Sequence, residues 1–402
     1  EEHHSDAVAY GRRYPVDSLW RTSVSSVPLW FLILHLGLMN SDNARPLRVY
    51  GSEISYFTGK LEGYLRYKEI PYERIAMTRR YWSRIVPRQT GVAQMPAIEL
   101  PDGRWITDTT PIIEWLETQW PEPAVVPADP VQGFASRLLE DYADEWLWRP
   151  ALHYRWSHRA DALLLSRKIV DEMLVDIPLP HALKRLAIRL RQQRRYVRGD
   201  GVTKHTRAHV ESVYLKTLAQ LETILARHAF LLGEKPTLAD FGFFGSMFRH
   251  FGLDPTPSAI MRARAPGVWE WVARVWNARA SRTKGALSSD IANEWAPLFD
   301  EIGSAYLPYL CANAEAWKAK QRHFDVAIQG VPYEDLPTSQ YRVWCLERLR
   351  THFSALADAP RREARALLER HGCWEPLWRV DDPHSGHDPE GRAPFARGIN
   401  IF

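Results

Sequence analysis

The sequence predicts an α/β domain followed by an all-helical one, and three observations carry that reading. Between Leu47 and Ala76 two β-type runs flank one helical stripe, the spacing of a parallel βαβ unit. Between Ala97 and Leu116 two short strands enclose a turn and lead into a second helix. After a proline-rich linker, the chain from Val131 to Ala280 reads as helical.

A chain of 402 residues suggests two or three domains. Hydrophobic content of 45% and charged content of 25% are ordinary for a globular protein, so a core is assured. A net charge of +4 is too small to argue for nucleic acid. Seventeen Trp point to broad helix-packing surfaces or to pockets for flat apolar ligands. The three Cys, Cys311, Cys345 and Cys373, are widely spaced in the last quarter. They form no disulfide framework and suit a reducing, cytoplasmic compartment. None lies in the α/β part, which excludes a CxxC redox enzyme there.

Residues 1–45 are the least readable and open without Met, as a processed terminus does. Their apolar run, Val27 to Met39, is interrupted by His35. It is shorter than the ~20 residues that span a bilayer. A helix docked on the protein is expected, with a membrane-surface segment or a signal-like stretch as alternatives.

The first strand is Leu47 to Tyr50. A helix with the stripe Leu61, Tyr64 and Leu65 runs from Gly59 to Tyr67 and stops before Pro71; Tyr72 to Ala76 is the second strand. Arg79 to Gly91 reads as a basic loop whose arginines face water. Pro96 removes a ladder donor, so Met95-Pro96 suits a turn or a cis bond. Ala97 to Leu100 and Arg104 to Ile106 are the strands of a hairpin, with Gly103 free to take φ > 0 in the turn. A helix starts at Asp108-Thr109-Thr110-Pro111 and buries Ile112, Ile113 and Leu116. Asp108 or Thr109 caps it, and the helix N-terminus offers N–H groups and a positive dipole end to a carboxylate. Asp108 can also receive an ammonium.

Pro121 to Pro127 is the linker, with three prolines in seven residues. Val131 to Leu152 is read as one helix, with Trp146 and Trp148 near its end. Lys184 to Arg207 holds nine Lys or Arg against one acid, Asp200. With Tyr196 as its lone aromatic, the run reads as a solvated helix face rather than an RNA, anion or membrane site. Val210 to Ala229 is an amphipathic helix. Beyond the Gly233 turn, Thr237 caps a helix and Asp240 reaches back to it, a structural capping box. Pro266 begins the next helix, which runs to about Ala280. Ala305 to Phe324 and Ser339 to Phe353 read as further helices, followed by a basic one to His371. The tail from Asp381 to Asp388 reads as mobile, its His384 and His387 too weak a signal for a metal site, and no metal is expected.

Four of these motifs, in this order, resemble the glutathione transferases. The run Ser55-Tyr56-Phe57-Thr58-Gly59-Lys60-Leu61 is similar to that family's Ser-Pro-Phe-Ser-x-Lys-Val, with Tyr56 where Pro is usual. Met95-Pro96, the Asp108-Thr109 pair and the Gly233/Thr237/Asp240 turn match the others. The resemblance covers about residues 46–280. It implies the glutathione transferase fold, an α/β thioredoxin-like N-terminal domain plus an all-α C-terminal domain, here with extra helices. The expected divisions are an extension at 1–45, a thioredoxin-like domain at 46–120, a linker at 121–130, a helical domain at 131–285 and a helical extension at 286–402. Helices in that last part can pack over the substrate pocket as a lid, or build an interface.

The resemblance also implies residue roles. Asp108 and Thr109 would grip the γ-glutamyl group of glutathione, and the Met95 backbone before Pro96 its cysteinyl backbone; Arg79, Arg80, Arg84, Arg88 and Gln94 are the candidates to border its glycyl carboxylate. Ser55 matches the catalytic serine that stabilises the thiolate; Ser55, Tyr56 and Thr58 can each face the sulfur. Tyr142, Trp146, Trp148 and Tyr154 are candidates for the wall of the second-substrate pocket, with at least half of such aromatics expected in the core instead. The implied activity is attack of the glutathione thiolate on an apolar, aromatic electrophile, including ether cleavage or dehalogenation, by a homodimer. The alternative is a non-catalytic interaction module of a larger assembly, which the long extensions favour.

Overall fold

The computed structural model describes residues 46–400 apart from Asp290 and the side chains of residues 291 and 292; the expectations for residues 1–45 lie outside it. Its first element, β1 (Leu47–Gly51), pairs in parallel with β2 (Tyr72–Ala76) and antiparallel with β3 (Ala97–Glu99), which pairs antiparallel with β4 (Trp105–Thr107). The strand order is β2-β1-β3-β4. Helix α1 (Tyr56–Tyr67) makes the crossover between β1 and β2. It starts earlier than Gly59 because the Ser55 hydroxyl accepts the Thr58 N–H at 3.3 Å and so caps it.

The segment expected as a basic loop is helical instead. Tyr81–Ile85 forms a π-helical turn and α2 (Val86–Thr90) follows, closed by Gly91 at φ 85°. Arg79, Arg80, Arg84 and Arg88 are exposed on it, so the loop-like charge pattern is one wet helical face. Helix α3 (Thr109–Gln119) buries Ile112, Ile113 and Leu116 against the sheet domain's core.

The single helix expected from Val131 to Leu152 divides into α4 (Pro130–Glu145) and α5 (Trp148–Ser157). Pro150 lies in the first turn of α5, where its missing N–H costs nothing. Helices α6 (Arg159–Met173) and α7 (His181–Gln192) form a hairpin, and α8 (Arg207–Leu225), α9 (Leu238–Ser246), α10 (Pro255–Arg264) and α11 (Pro266–Asn277) complete the helical part. The capping box at Thr237 and Asp240 is present. The basic run is not uniformly solvated. Lys184 is buried and donates to the carbonyls of Leu174 and Ile177, while Leu183, Leu186 and Leu190 are left 45–56% exposed. Lys184 closes the α6–α7 loop, and the leucines stand on the outward side of the same helix.

Past α11 the chain adds α12 (Leu307–Lys318), a hairpin of β5 (His323–Ile328) and β6 (Val331–Pro337), and then α13 (Gln340–Ser354) and α14 (Asp358–Arg370). Phe324 is therefore in a strand, not at a helix end. The missed signal is the two-residue turn Gln329-Gly330, both at positive φ (49° and 79°), between β-type runs. The tail expected as mobile is packed. Ser385 is buried and donates its N–H to Glu347 Oε1 at 2.7 Å, Gly398 donates to the Thr90 carbonyl at 2.8 Å, and Ile399 is buried against Tyr341 and Cys345. All three cysteines are buried free thiols. Among the described residues no helix is long and apolar enough to cross a membrane.

On helix α4, burial pushes Asp141 up to about 7 and Glu145 up to about 8. Both hold protons in the folded state that the unfolded chain releases near pH ~4. Their contribution is complete below that pH and is lost as pH rises through 7 and 8. The thermal midpoint is therefore expected to fall between pH 6 and pH 9, and Asp141→Asn, which keeps an acceptor for the Tyr306 hydroxyl, to flatten that slope. A midpoint that rises over this range would contradict the assignment.

Candidate functional site

Sheet register brings three separate loops to one end of the sheet. Tyr50 pairs with Ala97, and Ala97 with Thr107. The residues just beyond that row are the β1–α1 loop up to Ser55, Met95-Pro96 and Asp108-Thr109. The Met95–Pro96 bond is cis, and the Thr107 hydroxyl donates to the Pro96 carbonyl at 3.2 Å.

Asp108 is the N-cap of α3. Its Oδ1 accepts the Thr110 N–H at 3.2 Å and its Oδ2 accepts the Tyr341 hydroxyl at 2.8 Å. Burial pushes its pKa above the usual carboxylate range despite these two bonds. Thr109 is buried, and its hydroxyl has no hydrogen-bond partner. A buried polar atom left unpaired is unusual in a native fold and calls for an explanation. Thr110 donates its hydroxyl to Glu140 Oε1 at 3.1 Å; Glu140 and Asp144 of α4 together hold the buried Lys60 of α1. Burial opposes the Lys60 charge, and Asp144 and Glu140 outweigh it. The start of α3 is thus fixed to α1 and α4 at once.

A cavity of about 800 Å³ opens beside this helix start. The thioredoxin-like part contributes Gln94, Thr107, Asp108 and Trp115, and the C-terminal extension contributes Tyr341, Trp344, Arg348 and His352. The tail adds His384, His387 and Ile399. Arg348 pairs with Glu114 on α3. Burial disfavours the Glu114 charge, but Arg348, His352 and Arg137 hold its pKa down to about 2. The extension therefore supplies much of the cavity wall, as a lid does.

The β1–α1 loop is held from three sides. Glu172 of α6 accepts the Glu53 N–H at 3.1 Å and the Ser52 hydroxyl; Arg249 donates to the Ser52 carbonyl at 3.0 Å; Arg155 donates to the Ile54 carbonyl at 2.8 Å. None of these three residues was readable from sequence, because each lies about a hundred or more positions from the loop it holds.

The predicted residues separate clearly. Gln94 and Asp108 line the cavity, while Ser55, Met95, Pro96 and Thr109 do not line it but stand at the same end of the sheet. Tyr56 is buried and donates its hydroxyl to the Ala143 carbonyl of α4, so it faces the helical part. Thr58 is buried, its hydroxyl accepting the Ser52 N–H at 3.4 Å. Of these three, only Ser55 keeps exposed surface. Accepting the Thr58 N–H leaves its own proton to donate.

Tyr142, Trp146 and Tyr154, expected as pocket walls, are instead core: each is 3% exposed or less. Trp146 packs on Tyr306 and Tyr309, both from beyond residue 300. The added segment covers Tyr142 and Trp146, Tyr154 packs on Tyr214 and Phe251 within the helical part, and the tryptophans on the cavity are Trp115 and Trp344.

Residues 54–119 match the glutathione S-transferase N-terminal domain, and residues 204–274 match the glutathione S-transferase C-terminal domain. No curated protein matches the chain. Among solved structures, the β-etherase LigF from Sphingobium sp. strain SYK-6 is 22% identical over 57% of this chain and 95% of its own, with a TM-score of 0.42. A glutathione S-transferase from Methylobacterium radiotolerans, solved with glutathione sulfonate, is 21% identical over 61% of this chain and 97% of its own, with a TM-score of 0.36. A tau-class glutathione S-transferase from mango is 17% identical over 57% and 88%, with a TM-score of 0.38. Residues 54–119 and 204–274 thus carry the two domains of the glutathione S-transferase superfamily in the family's order, on the sheet, helix start and capping box described above.

Proposed function

We propose that the chain binds glutathione at the start of α3 and presents its thiolate, beside Ser55, to an apolar, aromatic electrophile. The observation that carries this reading is the Asp108–Thr109 helix start: a half-buried carboxylate with lone pairs to spare, next to a buried hydroxyl without a partner. The γ-glutamyl end of glutathione has one ammonium and one carboxylate. Asp108 takes the first; the Thr109 hydroxyl, at the positive end of the α3 dipole, takes the second. A Ser55 proton donated to the sulfur favours the thiolate, whose pKa is otherwise about 8.5. Each unit of lowering needs about 1.4 kcal/mol, within reach of a charge-assisted hydrogen bond aided by a helix dipole. Trp115 and Trp344 suit a flat apolar partner. Conjugation, ether cleavage and dehalogenation all use this machinery. A homodimer goes with the family reading, and sedimentation velocity reads it directly.

One observation favours a second reading, a transferase-fold interaction module. Tyr341 of the extension already donates to the carboxylate that the ammonium needs. Tyr341→Phe tests this. If the chain binds glutathione in competition with that hydroxyl, affinity is expected to rise about two- to tenfold, the worth of one hydrogen bond. Calorimetry on wild type and variant reads the difference. A wild type and a variant that both bind no glutathione would leave the module.

A further inference from the structure

Away from the cavity, the end of α5, the start of α6 and the side of α8 bring together His153, His158 and Glu211. One imidazole nitrogen from each histidine and one carboxylate oxygen all lie within 4.8 Å of one another. His153 is buried; its Nε2 stands 2.9 Å from Glu211 Oε1 and its Nδ1 2.9 Å from Ser157 Oγ. The Nε2 of His158 is buried and has no hydrogen-bond partner. Tyr154 stacks on the His158 ring at 5.4 Å and 10°, which fixes its plane. The two histidines lie between the two matched domain segments, outside both.

We propose that His153, His158 and Glu211 bind a divalent transition-metal ion of the zinc class. Two imidazoles and one carboxylate are a donor set that zinc accepts, with a fourth position left to water. Glu211 keeps 35% of its side chain exposed, so water and the ion have a path in. Ser157 supplies what a metal-bound histidine needs behind it. Without the ion, His153 Nε2–H donates to the Glu211 carboxylate and Nδ1 accepts the Ser157 hydroxyl; once the ion displaces the Nε2 proton, Ser157 Oγ can accept from a protonated Nδ1 and hold that tautomer. The ion replaces the His153–Glu211 hydrogen bond and gives the orphaned His158 nitrogen a partner. Ligand distances of about 2.0–2.1 Å require His158 to close in, a small movement for a ring at a helix start. Arg207, one turn before Glu211, opposes a cation, but it is exposed and screened by solvent. The bound ion ties the start of α6 to α8, and α6 carries Glu172, which holds the Ser52–Glu53 loop.

The test is zinc binding by the full chain after chelator treatment, by competition with a chromophoric chelator, alongside the absorption of the cobalt-substituted protein. One equivalent of zinc at submicromolar affinity and a tetrahedral cobalt spectrum are expected. Ser157→Ala is expected to weaken binding about 10–100-fold. His158→Gln and Glu211→Gln each remove a ligand and are expected to lose at least as much. If one of these does not fold, as read by circular dichroism, the other two decide. No saturable equivalent, or binding unchanged in the folded variants because it resides on histidines such as His384 and His387, overturns the proposal.

Discussion

Asp108→Asn is expected to weaken glutathione binding about thirtyfold or more in calorimetry. The substitution keeps the shape and one carbonyl oxygen to cap Thr110, turns its amide N–H toward the Tyr341 oxygen, and removes the charge that would face the ligand's ammonium. Losing a buried charge-assisted bond costs about 2 kcal/mol, which is about thirtyfold in affinity. Asn is the better variant than Ala here, because Asp108 sits at φ 73°, a region that Asn tolerates and Ala does not. Ala would also remove the cap and destabilise α3 by about 1 kcal/mol, which confuses folding with binding. Undiminished binding in Asp108→Asn would move the γ-glutamyl site elsewhere. No binding by folded wild-type protein would sink the glutathione reading and leave the interaction module.

The second large effect concerns stability. Arg155 is buried, and its guanidinium donates to both carboxylate oxygens of Asp254 at 2.7 and 2.9 Å and to the Ile54 carbonyl at 2.8 Å. It also donates to the Arg249 carbonyl. Asp254→Ala leaves that charge buried and unpaired, which costs about 3–5 kcal/mol. Denaturant unfolding is expected to show a loss of this size. The β1–α1 loop that ends at Ser55 should loosen with it, read as faster amide exchange at Ile54. The paired change Arg155→Met with Asp254→Leu removes both charges and is expected to recover part of the loss. A single-variant loss below about 1 kcal/mol would mean that water reaches the guanidinium.

The aromatics of the first helices lie in the core and not against the cavity. Tyr142, Trp146 and Tyr154 were candidates because aromatics on the first helices of such a domain face the second substrate. Here Tyr306 and Tyr309 cover Trp146 from more than 150 positions away, and no local pattern announces that. Trp344 and Arg348 had no distinguishing signal either: on α13 they look like any aromatic and any cation of a surface helix. Their role exists because α13 lies against the start of α3, which the Tyr341–Asp108 and Arg348–Glu114 bonds record.

What the sequence by itself determined is local in physical origin. The Ser55 cap, the Met95–Pro96 site, the Gly103 turn, the Asp108–Thr109 helix start and the Thr237/Asp240 box are each decided within a few residues. Their causes are φ freedom, a missing N–H, or a side chain returning to its own backbone. The βαβ order and the helical remainder follow from hydrophobic period in the same way. The tertiary structure alone decided which of Ser55, Tyr56 and Thr58 stays open, that the tail folds back onto Thr90, and that Lys184 is buried while its neighbouring leucines are not. It alone placed Glu172, Arg155 and Arg249 on one loop, and donor atoms of His153, His158 and Glu211 within 4.8 Å of one another. Those arrangements depend on contacts between residues far apart in the chain, whose energies appear only once a partner surface is present.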